Sequence, residues 1–148
     1  MMKYILMVFS FVGVDQLTKY LITNNLNLGE VIWPNKIFEI TNIHNYGAAW
    51  NIFNNQRLFL ICLTLLILLV ICWLIWKNRN KNSLFFTINL ILILSGALGN
   101  LIDRIANGYV VDMIALTFVK FPVFNVADMF LCIGVFGLII CILKGDEI

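Results

Sequence analysis

Two uninterrupted apolar stretches restrict the fold of this 148-residue chain more than any other feature. Residues 58–76 and 84–102 contain no charged side chain, and each is long enough to cross about 30 Å of hydrocarbon as a helix of about 20 residues. Two further stretches qualify, at residues 4–22 and 124–143, and the second is interrupted only by Asp128. The sequence therefore predicts an all-α membrane protein with four transmembrane helices.

The composition supports this class and argues against others. Hydrophobic residues make up 61% of the chain and charged residues 12%, about half the charged fraction of a typical soluble domain. The unbroken apolar runs argue against a membrane barrel, whose strands alternate in polarity over about ten residues. A net charge of +2, without a basic patch, gives no support to a nucleic-acid partner. A single domain over residues 1–148 is the natural organisation at this length.

Basic residues indicate how the four spans are oriented. The loop at residues 77–82 is short, contains three basic residues and lacks acids. Lys3 comes just before the first span and Lys144 just after the fourth. By the positive-inside rule this loop lies in the cytoplasm, and with four spans both termini lie there too. Four basic residues also fall on the opposite side. The predicted orientation therefore depends on the loop at residues 77–82, because positive charge is densest there. The cytoplasmic side then keeps only two acids, Asp146 and Glu147.

This topology places four aspartates, in or next to the spans, in one layer near the extracytoplasmic face. At 1.5 Å per residue, Asp15 lies about 17 Å along the first helix from Tyr4, in the outer half of the bilayer. Asp103 closes the third span, Asp112 follows in a predicted outer loop, and Asp128 lies near the outer start of the fourth span. Ionisable residues in or beside a bilayer are costly and mark functional sites, so we expect the chemistry in this layer.

The polar segment between the first two spans has a different pattern. Residues 28–33 and 37–43 alternate partly in polarity and are rich in β-branched and aromatic side chains, with Pro34-Asn35 between them. Such a pattern is typical of a hairpin. We therefore predict a small extracytoplasmic β-like element between helices 1 and 2.

Polar residues at the ends of the third and fourth spans have helical spacing. Asn125 and Asp128 are three residues apart, as a helix N-cap and an acid in the first turn would be. Asn100 and Asp103 share a face in the same way, next to Arg104. Each group has a structural interpretation, as a cap or a helix-end charge pair, and a functional one, in which carboxylates and amide donors face the bundle interior.

Two further groups complete the set of candidate polar residues. Asp15 and Lys19 are four residues apart on the first helix and form a predicted ion pair, which would tie this span to the others. Asn45 and Gly47 lie in a run of small residues that ends at Trp50. Gly47 favours a tight turn there, and Asn45 is a candidate for binding a peptide backbone.

The inventory of reactive side chains narrows the chemistry. His44 is the only histidine, which argues against a multi-histidine metal site and the HExxH arrangement. None of the three serines lies in a GxSxG turn. A pair of carboxyls that share one proton remains, and such a pair performs general acid–base chemistry on a bound water. The residues alone leave open whether Asp103 or Asp112 is the partner of Asp128.

Five blocks of the sequence, taken in order, resemble the lipoprotein signal peptidases (signal peptidase II), which are bacterial aspartyl proteases of the inner membrane. The blocks are Asp15-Gln16-Leu17-Thr18-Lys19, Asn45-Tyr46-Gly47-Ala48-Ala49-Trp50, Gly99-Asn100-Leu101-Ile102-Asp103-Arg104, Val110-Val111-Asp112 and Phe124-Asn125-Val126-Ala127-Asp128. The resemblance covers essentially the whole chain. One departure is visible, since the family usually has Phe where this chain has Trp50, which puts the shape of the pocket in doubt more than the activity.

The resemblance implies removal of the signal peptide from diacylglyceryl-modified prolipoproteins, by cleavage just before the lipid-bearing cysteine. It implies Asp112 and Asp128 as the catalytic pair and a supporting or substrate-binding set. That set consists of Asn45, Gly47, Asn100, Arg104 and Asn125. Asp15, Lys19 and Asp103 would then be structural. No cofactor or metal is expected, and the predicted partners are the lipid-modified substrate and membrane lipid, with the enzyme a monomer in the bacterial inner membrane.

Two other functions account for the same acids. In a proton or ion conduit the acids would form a relay through the bilayer, but the second span and the cytoplasmic halves contain none. In a structural or assembly protein, Asp112→Asn would be tolerated. A proteolysis assay separates the enzyme from both.

Overall fold

The computed structural model describes residues 2–78 and 84–144, and its main elements are four long helices. They are α1 (Met2–Asn25), α2 (Arg57–Lys77), α3 (Leu84–Ala106) and α4 (Val126–Leu143). All four are long and apolar enough to cross a membrane by length and composition, which confirms the four predicted spans. Residues 79–82 of the basic loop, together with Asp146 and Glu147, lie outside the described residues.

Helix α3 is the centre of the bundle and packs against each of the other three helices. Glycines permit this close packing. A Cβ atom at Gly99 would collide with the carboxylate of Asp15 in α1, and one at Gly96 would collide with the carbonyl oxygen of Ala127 in α4. The close approach brings the polar residues of α1 and α3 and the start of α4 into one buried region.

A three-stranded antiparallel sheet caps one end of the bundle, with strand order β1-β2-β3. Strands β1 (Val31–Ile32) and β2 (Phe38–Asn45) form the predicted β-like element between α1 and α2. Strand β3 (Val110–Leu116) lies between α3 and α4, where the sequence analysis placed Asp112 in a loop. The prediction of a loop was wrong, because these residues form a strand by pairing with β2. A short apolar segment that contains one aspartate gives no sign of that distant partner.

The pairing of β2 with β3 brings distant residues to one place. Asn45 pairs with Val110 and Ile43 pairs with Asp112, and a bulge follows between Ile40 and Ile43. Residues two apart on a strand share a face, so the side chains of Asn45 and Asp112 lie on the same side of the sheet.

The chain then turns back from β3 to begin α4. Phe124 bridges to Ile114, and its carbonyl oxygen accepts hydrogen bonds from the backbone N–H groups of Met113 and Ile114 at 3.0 and 2.8 Å. Phe124, which the sequence placed in the fourth span, therefore precedes α4 and is joined to β3 by an isolated bridge. This return sets the first residue after it, Asn125, beside Asp112.

The connection from β2 to α2 contains a short 3-10 turn, Ala49–Asn51, and an unusual backbone. Four non-glycine residues there have positive φ angles: Trp50, Asn51, Phe53 and Asn55, at 53°, 59°, 58° and 61°. Left-handed residues of this kind cluster at functional sites, where the surrounding structure holds them. The segment lies next to the cavity described below.

Candidate active site

A cavity of about 490 Å³ lies between the sheet, the start of α4 and the C-terminal end of α3. Its polar lining consists of Asn45, Asn100, Arg104, Asp112 and Asp128. The rest is mostly apolar and includes Phe121, Phe124, Met129 and Leu131. A mainly apolar pocket with a few convergent polar groups is the usual form of a ligand site.

Asp112 lies in β3 with its side chain 2% exposed, and two asparagines hold its carboxylate. Its Oδ2 accepts a hydrogen bond from the Asn45 amide at 2.9 Å, and its Oδ1 accepts one from the Asn125 amide at 2.7 Å. Burial, and then the charge of Asp128, raise the pKa of Asp112 to about 7, although these two hydrogen bonds act in the opposite direction. At neutral pH this carboxyl is therefore poised between its protonated and ionised forms.

Asp128 is part of the start of helix α4. Its backbone N–H donates to the side-chain oxygen of Asn125 at 2.9 Å, and its own Oδ2 accepts from the backbone N–H of Asn125 at 3.1 Å. This reciprocal arrangement is a capping box, with Asn125 at the N-cap and Asp128 three residues later. The cap predicted from the sequence is thus present, and the carboxylate it fixes lines the cavity.

Asp112 and Asp128, here called the carboxyl pair, are joined by two amides, here called the amide bridge, Asn100 and Asn125. Asn100 donates to Oδ1 of Asp128 at 2.8 Å, while Asn125 donates to Oδ1 of Asp112. The amides also meet each other, with Asn125 Nδ2 donating to Asn100 Oδ1 at 3.1 Å. One continuous hydrogen-bond network therefore connects the two carboxyls.

Arg104 connects α3 to the turn that follows β2. Its Nη2 donates to the carbonyl oxygen of Gly47 at 2.9 Å. A Cβ atom at Gly47 would approach Ile52 O to 2.8 Å, so the turn favours glycine there. Arg57 in turn donates to the carbonyl oxygen of Arg104 at 2.7 Å and fixes the end of α3. The guanidinium is thus held at the cavity wall.

Trp50 lines the cavity at its opening and is 67% exposed. Its ring meets Phe121 edge-on, with 5.7 Å between the ring centroids. Phe121 belongs to the return from β3 to α4 and was not singled out from the sequence, because an isolated aromatic in a loop carries no local signal of its role.

Asp15, Lys19 and Asp103, here called the charged cluster, lie behind the cavity and do not line it. Lys19 Nζ contacts Asp15 Oδ2 at 2.9 Å and Asp103 Oδ2 at 3.0 Å. Asp103 Oδ2 also accepts from the backbone N–H of Val111 at 3.1 Å. The predicted ion pair between Asp15 and Lys19 is confirmed, and it extends to a second carboxylate that the sequence did not assign to it.

Gln16 has no role predicted from the sequence, yet its amide crosses from α1 to α3. It donates to Asp103 Oδ1 at 3.0 Å and to the carbonyl oxygen of Gly99 at 3.2 Å. Asp15 reaches further, since its Oδ1 accepts from the backbone N–H of Ala127 at 2.9 Å. Helix α1 therefore helps to hold the start of α4, one residue before Asp128.

The arrangement has the features needed for acid–base chemistry. One buried carboxyl titrates near neutrality beside a second carboxyl, and amide donors and a guanidinium line the same cavity. Within residues 2–78 and 84–144, no group of three or more His, Cys, Asp or Glu side chains is arranged to hold a metal ion.

Comparison with known proteins gives matches over nearly the full chain. The family model described as Signal peptidase (SPase) II matches residues 7–144. The lipoprotein signal peptidase of Lactococcus lactis subsp. lactis (strain IL1403) is 45% identical over 151 residues, which cover 99% of this chain and 99% of that protein. The lipoprotein signal peptidase of Streptococcus thermophilus (strain CNRZ 1066) is 41% identical over 141 residues, covering 95% of this chain and 92% of that protein.

The fold also matches a solved structure described as a bacterial membrane enzyme, determined by the in meso method at 2.3 Å resolution. The TM-score is 0.89 at 35% identity, over 99% of this chain and 91% of that chain. Together with the four apolar helices, this match makes the chain a multi-pass membrane protein. The resemblance found in the sequence is confirmed, and the chain belongs to the signal peptidase II family of peptidases.

Proposed function

We propose that this peptidase removes the signal peptide from diacylglyceryl-modified prolipoproteins by cutting just before the lipid-bearing cysteine, with the carboxyl pair as its catalytic groups. The observation that carries the assignment is the hydrogen-bond network that joins Asp112 and Asp128 at one cavity wall. Asp103 is a weaker candidate, because Gln16 and Lys19 occupy its carboxylate behind the cavity.

The proposed mechanism is general acid–base catalysis by a pair that shares one proton. The ionised carboxyl takes a proton from water, and the hydroxide oxygen forms a bond to the scissile carbonyl carbon. The protonated carboxyl donates its proton toward the carbonyl oxygen. As the C–N bond breaks, one carboxyl gives a proton to the departing amine, and the other takes a proton from a hydroxyl of the tetrahedral intermediate, whose C=O bond re-forms. The pair then holds one proton again, as at the start. The raised pKa of Asp112 favours one retained proton at neutral pH, and the pair titrates as a unit.

The amides and Arg104 are proposed to hold the substrate and the pair. Asn45, Asn100 and Asn125 orient the carboxylates, while Arg104 presents donors to a peptide carbonyl at the cavity wall. The apolar lining fits a lipid-modified residue and the flanking apolar signal segment. Binding of the chain on both sides of the scissile bond would bring the carbonyl to the pair.

The proposed setting is the bacterial inner membrane, with the active site near the extracytoplasmic face. The sheet and the carboxyl pair lie at the same end of the bundle, opposite Lys77, and the positive-inside rule places the end that carries this lysine in the cytoplasm. We propose one domain over residues 1–148, with both termini in the cytoplasm, that works as a monomer among membrane lipids and binds no nucleic acid.

The test is cleavage of a diacylglyceryl-modified prolipoprotein by purified protein in detergent or liposomes. Asp112→Asn and Asp128→Asn are each expected to lower cleavage by about 10²- to 10⁴-fold. Asp103→Asn is the matched control, because it removes one carboxylate from the charged cluster and is expected to leave a folded, partly active enzyme.

Two outcomes would contradict the proposal in different ways. A folded but inactive Asp103→Asn enzyme, together with an active Asp112→Asn enzyme, would make Asp103 the partner of Asp128. Wild-type protein that does not cut would remove this substrate class. A current through reconstituted protein that depends on Asp128 would then favour the ion conduit.

A further inference from the structure

Lys19 carries a charge that is buried in the bundle, with 3% of the residue exposed. Two of its three polar contacts are the expected carboxylates of Asp15 and Asp103. The third is a neutral oxygen, since Nζ donates to Asn100 Oδ1 at 3.0 Å. This third contact leads out of the charged cluster and into the network of the carboxyl pair.

The contact fixes which way the amide of Asn100 faces. An ammonium group can only donate hydrogen bonds, so the oxygen of Asn100, and not its NH₂ group, faces Lys19. The NH₂ group is then directed at Oδ1 of Asp128, at 2.8 Å. A half-turn of this amide would oppose donor to donor at Lys19 and acceptor to acceptor at Asp128.

The orientation of Asn125 is fixed by the cap of α4. Its side-chain oxygen accepts from the backbone N–H of Asp128, which leaves its NH₂ group to donate. That group reaches Asn100 Oδ1 at 3.1 Å and Asp112 Oδ1 at 2.7 Å. With Asn100 turned around, two NH₂ groups would face each other. The amide of Asn100 is therefore oriented from two sides, by the ammonium of Lys19 and by the NH₂ group of Asn125.

We propose that Lys19 is a positioning residue for the carboxyl pair, acting through the amide of Asn100. The ammonium helps to keep the amide of Asn100 in the orientation that directs its NH₂ group at Asp128. Lys19 does not line the cavity, so it acts without touching the substrate. The inference rests on the proposed function, since it assigns a supporting role in that reaction.

Charge adds to this geometric role. The charged groups that face the carboxyl pair come from two helices: Lys19 and Asp15 from α1, and Arg104 and Asp103 from α3. Lys19 attracts both carboxylates of the pair, whereas Asp15 repels Asp128. Removal of the ammonium would leave the ionised pair less stabilised, while Arg104 would remain in place.

The first test is Lys19→Met, which removes the charge and the donor from a side chain of similar length. We expect kcat to fall by about 10- to 100-fold with little change in KM, because groups in the reaction are misplaced while the substrate contacts stay. We also expect the acid limb of the pH profile of kcat/KM to move to higher pH, because a carboxylate that loses a nearby cation ionises less readily.

Gln16→Leu is the matched control. Gln16 donates hydrogen bonds to Asp15, Gly99 and Asp103 in the same buried region, and these three partners lie outside the amide bridge. Its loss should lower the stability of the bundle and leave the acid limb at the wild-type pH. An unmoved acid limb in Lys19→Met, with the same loss of stability as the control, would overturn the proposal.

A double-mutant cycle tests the route through Asn100. In an Asn100→Ala background, Lys19→Met should cause little further loss of kcat, because the group that transmits its effect is gone. If the fold-decrease in kcat of the double variant equals the product of the two single decreases, Lys19 does not act through this amide.

A double variant that keeps the net charge of the charged cluster separates the role of Lys19 from its effect on folding. Lys19→Met alone leaves two buried carboxylates without their cation, a change that is strongly destabilising. Asp103→Asn and the double variant Lys19→Met/Asp103→Asn differ only in the ammonium. A lower kcat and a raised acid limb in the double variant support the proposal.

The remaining outcomes are also decisive. An unchanged profile in the double variant, or a double variant that does not fold, would overturn the proposal, since Lys19 would then serve only the fold. Wild-type activity is measured first. Its absence would refute the proposed function, whereas an active wild type with an unmoved Lys19→Met profile would refute the positioning role alone.

Discussion

The Asp112→Asn substitution has two expected effects that come from the same buried carboxyl. Activity should fall by about 10²- to 10⁴-fold, the usual contribution of a general acid–base group. The stability of the fold should also become less dependent on pH. Burial and the neighbouring Asp128 raise the pKa of Asp112 from 3.8 to about 7, so the carboxyl keeps its proton to higher pH in the folded protein than in the unfolded chain.

The size of the second effect follows from this difference. The folded state binds more protons than the unfolded state between about pH 4 and pH 7, so stability declines as the pH rises through that range. Each pKa unit corresponds to about 1.36 kcal/mol, which gives a loss of about 3 kcal/mol between pH 5 and pH 8. The loss levels off above the folded-state pKa of Asp112. The Asp112→Asn protein lacks this carboxyl, so it should lose about 3 kcal/mol less than wild type over the same pH range.

The assay is the free energy of unfolding in detergent micelles at pH 5 and pH 8. Glu39→Gln is the matched control, because it also removes one carboxyl from the sheet but lies outside the cavity lining, and it should retain the wild-type pH dependence. If wild type and Asp112→Asn lose the same free energy between the two pH values, the argument from burial of Asp112 is wrong.

Three further predictions concern the helix cap, the helix packing and the chemistry. Asn125→Ala should lower the free energy of unfolding by about 1 kcal/mol, through loss of the N-cap, and should also reduce cleavage; unchanged values in both assays would contradict its role. Gly99→Leu should destabilise the fold by about 1–3 kcal/mol or more in the same unfolding assay, because the added atoms meet Asp15 and Ala127. Gly13→Leu is its control, since a Cβ atom there meets nothing within 4 Å, and an equal loss in both would refute the packing argument. Cleavage should be unaffected by a chelator, because the carboxyl pair activates water by itself, and activity that is lost with a chelator and restored by a metal ion would argue against that mechanism.

The helices could be predicted because their signal is local. A span needs about 20 apolar residues, and that requirement is visible in the sequence without knowledge of any partner. The helix bounds changed by a few residues at most, as at the end of α3, which continues from the predicted residue 102 to Ala106. The cap at Asn125 was also visible, because its partner Asp128 is three residues away.

The rest depends on contacts between distant parts of the chain. Strand β3 exists because β2 pairs with it, and Asp112 reaches the site because Asn45, 67 residues away, lies on the same sheet face. The link from Lys19 to Asn100 joins residues 81 apart and depends on which face of α1 meets α3. No spacing rule gives the orientation of an amide, so this part of the site became visible only in three dimensions.

The carboxylate of Asp128 has two roles, one in the fold and one at the cavity. Its carboxylate closes the capping box at the start of α4 and also forms part of the cavity wall. A small molecule that binds this carboxylate therefore acts on a residue whose replacement would disturb the start of a membrane helix as well as the reaction. Escape from such an inhibitor by mutation is expected at apolar wall residues such as Phe121 and Met129, and selection for resistance should leave Asp128 unchanged.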